Sequence, residues 1–110
     1  MMMLNRIILI GRIANDLDLR YTRNGKAVLR MTVAVDRPYK SRNGNREADF
    51  IICVAWGKLA ETCAKYLEKG LLVAVEGRLE VRTYQEKNES KERFISEVIA
   101  DDIRFLEKLR

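Results

Sequence analysis

Histidine is absent from this chain and proline occurs once. Without imidazole there is no Ser-His-Asp or Cys-His arrangement, no His-containing zinc site and no acid–base group poised near neutrality. Two cysteines, Cys53 and Cys63, are too few for a four-thiolate metal site, and they are expected to be reduced and packed. No apolar run approaches the roughly 20 residues that a membrane-spanning helix requires. The opening Met1 to Arg6 lacks a basic region ahead of an apolar stretch, so no cleavable leader is expected. Neither Gly-x-x-x-x-Gly-Lys-Ser/Thr nor Gly-x-Gly-x-x-Gly occurs, which removes the common phosphate cradles. Asp101 and Asp102 would fall on opposite faces of a strand, and Glu47 with Asp49 has no further carboxylate assigned nearby. A capping or loop-pairing role is expected of them rather than a bound Mg²⁺. The expectations are therefore no catalytic residue, no metal, no cofactor and no membrane.

What remains is a folded composition: 110 residues, 47% hydrophobic and 34% charged. This suits one domain spanning 1–110, with no internal repeat or linker. The net charge of +5 is unevenly spread. Residues 1–46 carry ten basic groups against three acidic, giving +7, whereas residues 47–110 carry eleven against thirteen, giving −2. A basic half on a small protein suits a polyanionic partner, but an unevenly charged solvated surface has the same signature. Charge alone does not choose between them.

Patterning is mostly of period two. Ile7, Leu9, Gly11 and Ile13 alternate with Arg6, Ile8, Ile10 and Arg12, a strand whose outer pair Ile8 and Ile10 needs cover, for instance from another subunit. After the turn signal Asn24-Gly25, residues 27–37 alternate again. Residues 38–46 read as a long basic loop, with Pro38 unable to continue a ladder. A third strand runs from Ala48 to Trp56. The period then changes: Leu59, Cys63 and Leu67 recur every four residues, predicting one helix over 58–69 with Gly70 as its C-terminal cap. Residues 71–84 alternate once more, 86–91 form a polar hairpin tip, and a fifth strand covers roughly 93–106. Three strands, a helix and two strands is the layout of an OB-fold, a five-stranded Greek-key barrel.

Alternation also sorts the side chains. In the fourth strand Leu71, Val73, Val75, Leu79 and Val81 are read as inward, which sends Arg78, Arg82 and Tyr84 outward. Phe50 and Trp56 share parity, and Tyr39 sits among Arg37, Lys40 and Arg42. Exposed aromatics interleaved with cations suit single-stranded nucleic acid, whose bases stack on flat rings while Arg and Lys neutralise phosphates. Duplex hides its base faces and would be disfavoured. Phe50 and Trp56, lying in apolar strands, would on that ground alone more often be core residues. Tyr21 and Tyr66 are left to the core or to loop anchoring.

Several stretches, in order, resemble the bacterial single-stranded DNA-binding protein family. They are Asn5-Arg6-Ile7-Ile8-Leu9-Ile10-Gly11-Arg12, Ala48-Asp49-Phe50-Ile51, Trp56-Gly57-Lys58-Leu59-Ala60-Glu61, Tyr66-Leu67-Glu68-Lys69-Gly70, Val75-Glu76-Gly77-Arg78-Leu79 and Glu97-Val98-Ile99-Ala100-Asp101. The likeness runs from about Leu4 to Leu106. It implies an OB-fold that assembles as a homotetramer, a dimer being the smaller option, with first strands pairing across a subunit boundary. Stacking positions of that family match Tyr39, Phe50, Trp56 and Tyr84. Its basic positions match Arg6, Arg20, Lys40, Lys58, Lys69, Arg78 and Arg82. The implied role is coating single-stranded DNA in replication, recombination and repair, in the cytoplasm and associated with the nucleoid. The sequence departs from the family at Asp16-Leu17, where a proline is common, and at Ile52, where a polar residue is common. It ends in the basic stretch Phe105-Leu106-Glu107-Lys108-Leu109-Arg110 where that family carries an acidic tail that recruits replication and repair proteins, so it is read either as the core domain alone or as a tailless version, and recruitment by that route is left open. The alternatives are a tailless PriB-like OB-fold adaptor in replication restart and an RNA-binding OB-fold, with an enzyme last.

Overall fold

The computed structural model describes residues 2–88 and 90–108. Its elements are β1 (Ile7–Ile13), β2 (Arg20–Tyr21), β3 (Ala27–Lys40), β4 (Arg46–Trp56), α1 (Gly57–Tyr66), β5 (Leu72–Gln85) and β6 (Glu92–Phe105). The sheet order is β1-β5-β6-β4-β3-β2, and a further β1–β3 pairing (Arg12 opposite Ala34, Ile13 opposite Val33) closes it. The five long strands thus form the OB-fold barrel with its helix between the third and fourth of them, as the pattern predicts. The two-residue β2 lies within the stretch that the pattern gives as a loop.

Alternation builds the core. Leu29, Met31 and Val33 of β3 point inward with Cys53 and Ala55 of β4, Val73 and Val75 of β5, and Val98 and Ile103 of β6. Burying each large apolar side chain contributes about 1.5–3 kcal/mol. From α1, Ala60, Cys63 and then Leu67 complete the cluster, with the helix packed against β3, β4 and β6. Cys53 and Cys63 are free and buried, as expected. Burial alone pushes their thiols up, to about 12 and about 11. At the barrel seams the strands approach so closely that a Cβ on Gly77 would lie 2.1 Å from the Ile99 carbonyl oxygen.

Two asparagines finish the β1 edge in a way no periodicity reveals. Asn5 donates from Nδ2 to the Leu79 carbonyl (2.7 Å) and accepts from the Leu79 N–H (2.8 Å). Asn15 likewise donates to the Arg30 carbonyl (3.3 Å) and accepts from the Thr32 N–H (2.8 Å). Each amide replaces a backbone pair where the ladder has run out.

Four expectations need correction. The helix ends at Tyr66, not residue 69: buried Leu67 caps it in extended conformation, its N–H bonded to Cys63. Gly70 instead serves a later turn, donating to the Ile13 carbonyl. The basic loop is shorter than 38–46, because β3 runs through Pro38 to Lys40 and β4 starts at Arg46; the ladder becomes irregular between Asp36 and Lys40, where proline's missing donor is tolerated. Leu79 and Val81 are exposed rather than inward. From Arg78 to Gln85 β5 is exposed throughout, although its partner β6 stays in the barrel as far as Val98, opposite Leu79; past that pair the β5–β6 hairpin projects as a two-stranded ribbon. Of the two readings open for Tyr66, core or loop anchoring, the first is excluded: it is half-exposed, with the Lys65 ammonium 5.2 Å from its ring centre. Glu89 in the hairpin tip and Leu109 and Arg110 at the basic end lie outside the described residues.

Candidate nucleic-acid interface

The outer face of β3, β4, β6 and β5 is continuous. On β4 the inward set is Ile51, Cys53 and Ala55, leaving Phe50, Ile52, Val54 and Trp56 outward. Their partners on β3 are Ala34, Thr32, Arg30 and Val28 in turn. On the other side β6 runs parallel to β4, with Val54 opposite Ile99, and presents Ile95, Glu97 and Ile99 outward. Strand β5 adds Arg78, Glu80, Arg82 and Tyr84, paired with Ile99, Glu97, Ile95 and Arg93. A bulge at Asp101 takes up the register change between Glu76 and Gly77, so the parity of Arg78 to Tyr84 holds while that of the residues beneath them does not.

Phe50 is 67% exposed, and Trp56 and Tyr84 are each 38% exposed. The choice between core and surface left open for Phe50 and Trp56 falls to the surface. Tyr39 is also exposed but stands on the β3–β4 arm past the irregular stretch, beside Lys40, so strand parity does not assign it to the same face. The arm is braced by Arg37, which holds Asp49 through two nitrogens (2.8 and 3.1 Å) and Glu47 at 3.1 Å. Those two carboxylates therefore pair with Arg37 across the β3–β4 ladder rather than within a loop. Hydrogen bonding to Arg37 draws the Asp49 carboxyl below its ordinary value.

The candidate cations divide by position. Arg78 and Arg82 lie on the shared face, where Arg78 bonds Glu80 at 3.1 Å. Lys58 follows two residues after Trp56 at the start of α1. Arg20, paired with Asp18 at 2.9 Å, lies with Arg30 along an open groove of about 410 Å³ that Asn15, Asp16 and Val28 also line. Two are not brought to the aromatics: Arg6 is engaged by Glu76 (2.7 Å) and Asp101 (3.2 Å) on the β1–β5 side, and Lys69 sits in the turn that Gly70 ties to β1.

Three residues on or beside this face were not singled out as site residues. The Lys26 ammonium lies 5.1 Å from the centre of the Trp56 ring, a cation–π contact that shares the face of the indole. Arg30 donates to Glu97, and Arg82 reaches the same carboxylate from the opposite side at 3.1 and 3.3 Å. Glu97 is only 4% exposed. Burial pushes its carboxyl up, but the hydrogen bonds from Arg82 and Arg30 outweigh that and hold it below the ordinary value. Parity could have placed Arg30 on the β4 face; which carboxylate it meets depends on β6, where Glu97 stands 67 residues away in sequence.

An apolar and cationic face of this kind, on a barrel of this topology, is accompanied by a match to a known family: its family model, described as single-strand binding protein family, covers residues 4–106. The chain belongs to that family. A single-stranded DNA-binding protein of Halalkalibacterium halodurans is 51% identical over 105 residues, covering 96% of this chain and 62% of that protein. One of Oceanobacillus iheyensis is 50% identical, covering 96% and 65%, and the single-stranded DNA-binding protein 2 of Listeria monocytogenes is 49% identical with the same coverage. The chain thus spans less than two thirds of the length of these single-strand binding relatives. Among the described residues no helix is long and apolar enough to cross a membrane.

Proposed function

We propose that this chain is a non-catalytic binding module that coats single-stranded DNA with little sequence preference and so protects it during replication, recombination and repair. The observation that carries this reading is the exposure of Phe50, Trp56 and Tyr84 on one sheet face while the barrel beneath is filled. Stacking on each ring is worth roughly 1–3 kcal/mol per base and accepts any base. Tyr39 would extend the platform along the β3–β4 arm. Lys40, Lys58, Arg20, Arg78 and Arg82 would neutralise phosphates nearby, with Arg6 and Lys69 serving strand that continues round the barrel. The proposed domain is the whole span 1–110, acting in the cytoplasm on nucleoid DNA.

A second copy of the chain is the expected partner. Ile8 and Ile10 are 69% and 57% exposed on β1, an apolar pair that a facing β1 would cover. A homotetramer built on that contact would make later contacts with one DNA strand intramolecular, raising avidity without new chemistry. A PriB-like adaptor is disfavoured because it has no need of an exposed stacking set.

Titration with oligo-dT of increasing length, following the fluorescence of the single tryptophan, tests the reading. Quenching that duplex competitor fails to reverse, and that weakens with salt by roughly 0.7 log units of affinity per log unit of salt for each phosphate neutralised, is the expected result. A folded protein showing neither quenching nor binding would refute it. Matched RNA as competitor distinguishes the RNA-binding alternative.

A further inference from the structure

We propose that Glu97 is a positioning residue for DNA binding, fixing the guanidinium groups of Arg30 and Arg82 as a preformed phosphodiester cradle between the Phe50 and Trp56 rings. The inference rests on the single-stranded DNA reading above and adds residues to that site. Its starting point is a buried acid on a surface meant for a polyanion. A carboxylate there opposes phosphate binding unless it has another task, and the contacts define one.

Glu97 lies on β6, Arg30 on β3 and Arg82 on β5, so the cluster reaches across β4, the strand that carries both rings. It crosses β4 near Val54, the register partner of Arg30, and Val54 is buried although it faces outward. Phe50 and Trp56 are six residues apart, roughly 20 Å along a strand at about 3.3 Å per residue. A nucleic-acid strand passing from one ring to the other crosses the two guanidinium groups. Each guanidinium has five N–H donors. Glu97 engages one from Arg30 and two from Arg82, and both side chains remain half-exposed, leaving donors for a phosphate. The cluster keeps a net positive charge.

Holding the arginines in place matters because both are long and rich in rotamers. Ordering them at the moment of binding would cost affinity, whereas a buried carboxylate already bonded to both has ordered them in the free protein. The fork geometry of arginine, not its charge alone, is then what the site uses.

Simple electrostatics and positioning predict opposite signs for E97Q, which removes a negative charge while keeping the side chain's shape. Positioning predicts binding to oligo-dT at fixed salt weakened about fivefold or more, with the thermal transition retained and the salt slope unchanged. Tighter binding with a slope steeper by roughly 0.7 would overturn the proposal, as would unchanged affinity. Should E97Q not fold, R30K and R82K carry the test, since each keeps the charge and loses the fork. A several-fold loss at unchanged slope supports the cradle, and wild-type affinity overturns it. Failure of the parent protein to bind oligo-dT would refute the functional reading itself, whereas a parent that binds and variants that match it would refute only this inference.

Discussion

Phe50→Ala removes a ring that is 67% exposed and whose cross-strand partner is the small Ala34. Only about a third of its surface is covered by the protein. Full burial of a phenylalanine contributes roughly 3 kcal/mol at most, so the substitution should cost the fold about 1 kcal/mol or less. For a domain of this size that is a fall of about 2–8 °C in Tm. The same ring stacked on a base is worth about 1–3 kcal/mol, or roughly 5- to 150-fold in Kd. Binding should therefore suffer more than stability. The assay is oligo-dT titration read by Trp56 fluorescence, beside a circular-dichroism melt. Trp56 is a less clean target, because Lys26 already contacts its ring and the mutation would remove that contact too. An unchanged Kd in a folded variant would remove Phe50 from the platform. A loss of several kcal/mol of stability would show that the ring supports the barrel instead.

Gly77→Ala would place a methyl 2.1 Å from the Ile99 carbonyl oxygen, and should destabilise the barrel by about 1–3 kcal/mol; a urea midpoint equal to the parent's would contradict this. Cys53 and Cys63, with thiols pushed up to about 12 and 11 and no exposed surface, should react with a thiol reagent at pH 8 only as fast as the chain unfolds, and rapid labelling of the native protein would refute it. Glu97 and Asp49 have carboxyls held below their ordinary 4.5 and 3.8, so their contribution to stability is present above those values and disappears as pH falls through the lower folded ones. Urea midpoints should accordingly be insensitive to these groups above pH 5 and fall below about 4.5, and E97Q should flatten that decline; a decline centred above pH 5 unaffected by E97Q would count against it. Ile10→Glu, on the exposed β1 pair, should lower the assembly mass measured by light scattering while the monomer fold survives, and an unchanged mass would move the subunit contact elsewhere.

Alternation along the chain was enough to give the barrel's strands, the single helix and the outward direction of Arg82 and Tyr84; it put Phe50 and Trp56 on one side of their strand without saying which side faces the core. Side chains two apart on a pleated strand must share a face, and that rule is local. It failed at Leu79 and Val81, where the pattern stays apolar but β5 is exposed throughout. A strand cannot show by its own residues whether a neighbour still covers it. The helix end escapes the pattern for a related reason: Leu67 keeps the four-residue spacing, yet it enters the core in extended conformation. Asn5 and Asn15, bonded across seams that join residues far apart in sequence, carry no periodic signal at all.

The chain's own pattern thus determined the succession of strands and helix and the outward set Arg78, Arg82 and Tyr84, because both follow from periodicity and the identity of each side chain. Only the tertiary structure decided that Glu97 is buried between Arg30 and Arg82, that Lys26 lies over Trp56, and that Arg6 and Lys69 stand apart from the rings. These depend on which strands become neighbours across the sheet, a relation set by long-range pairing that no short window of residues contains.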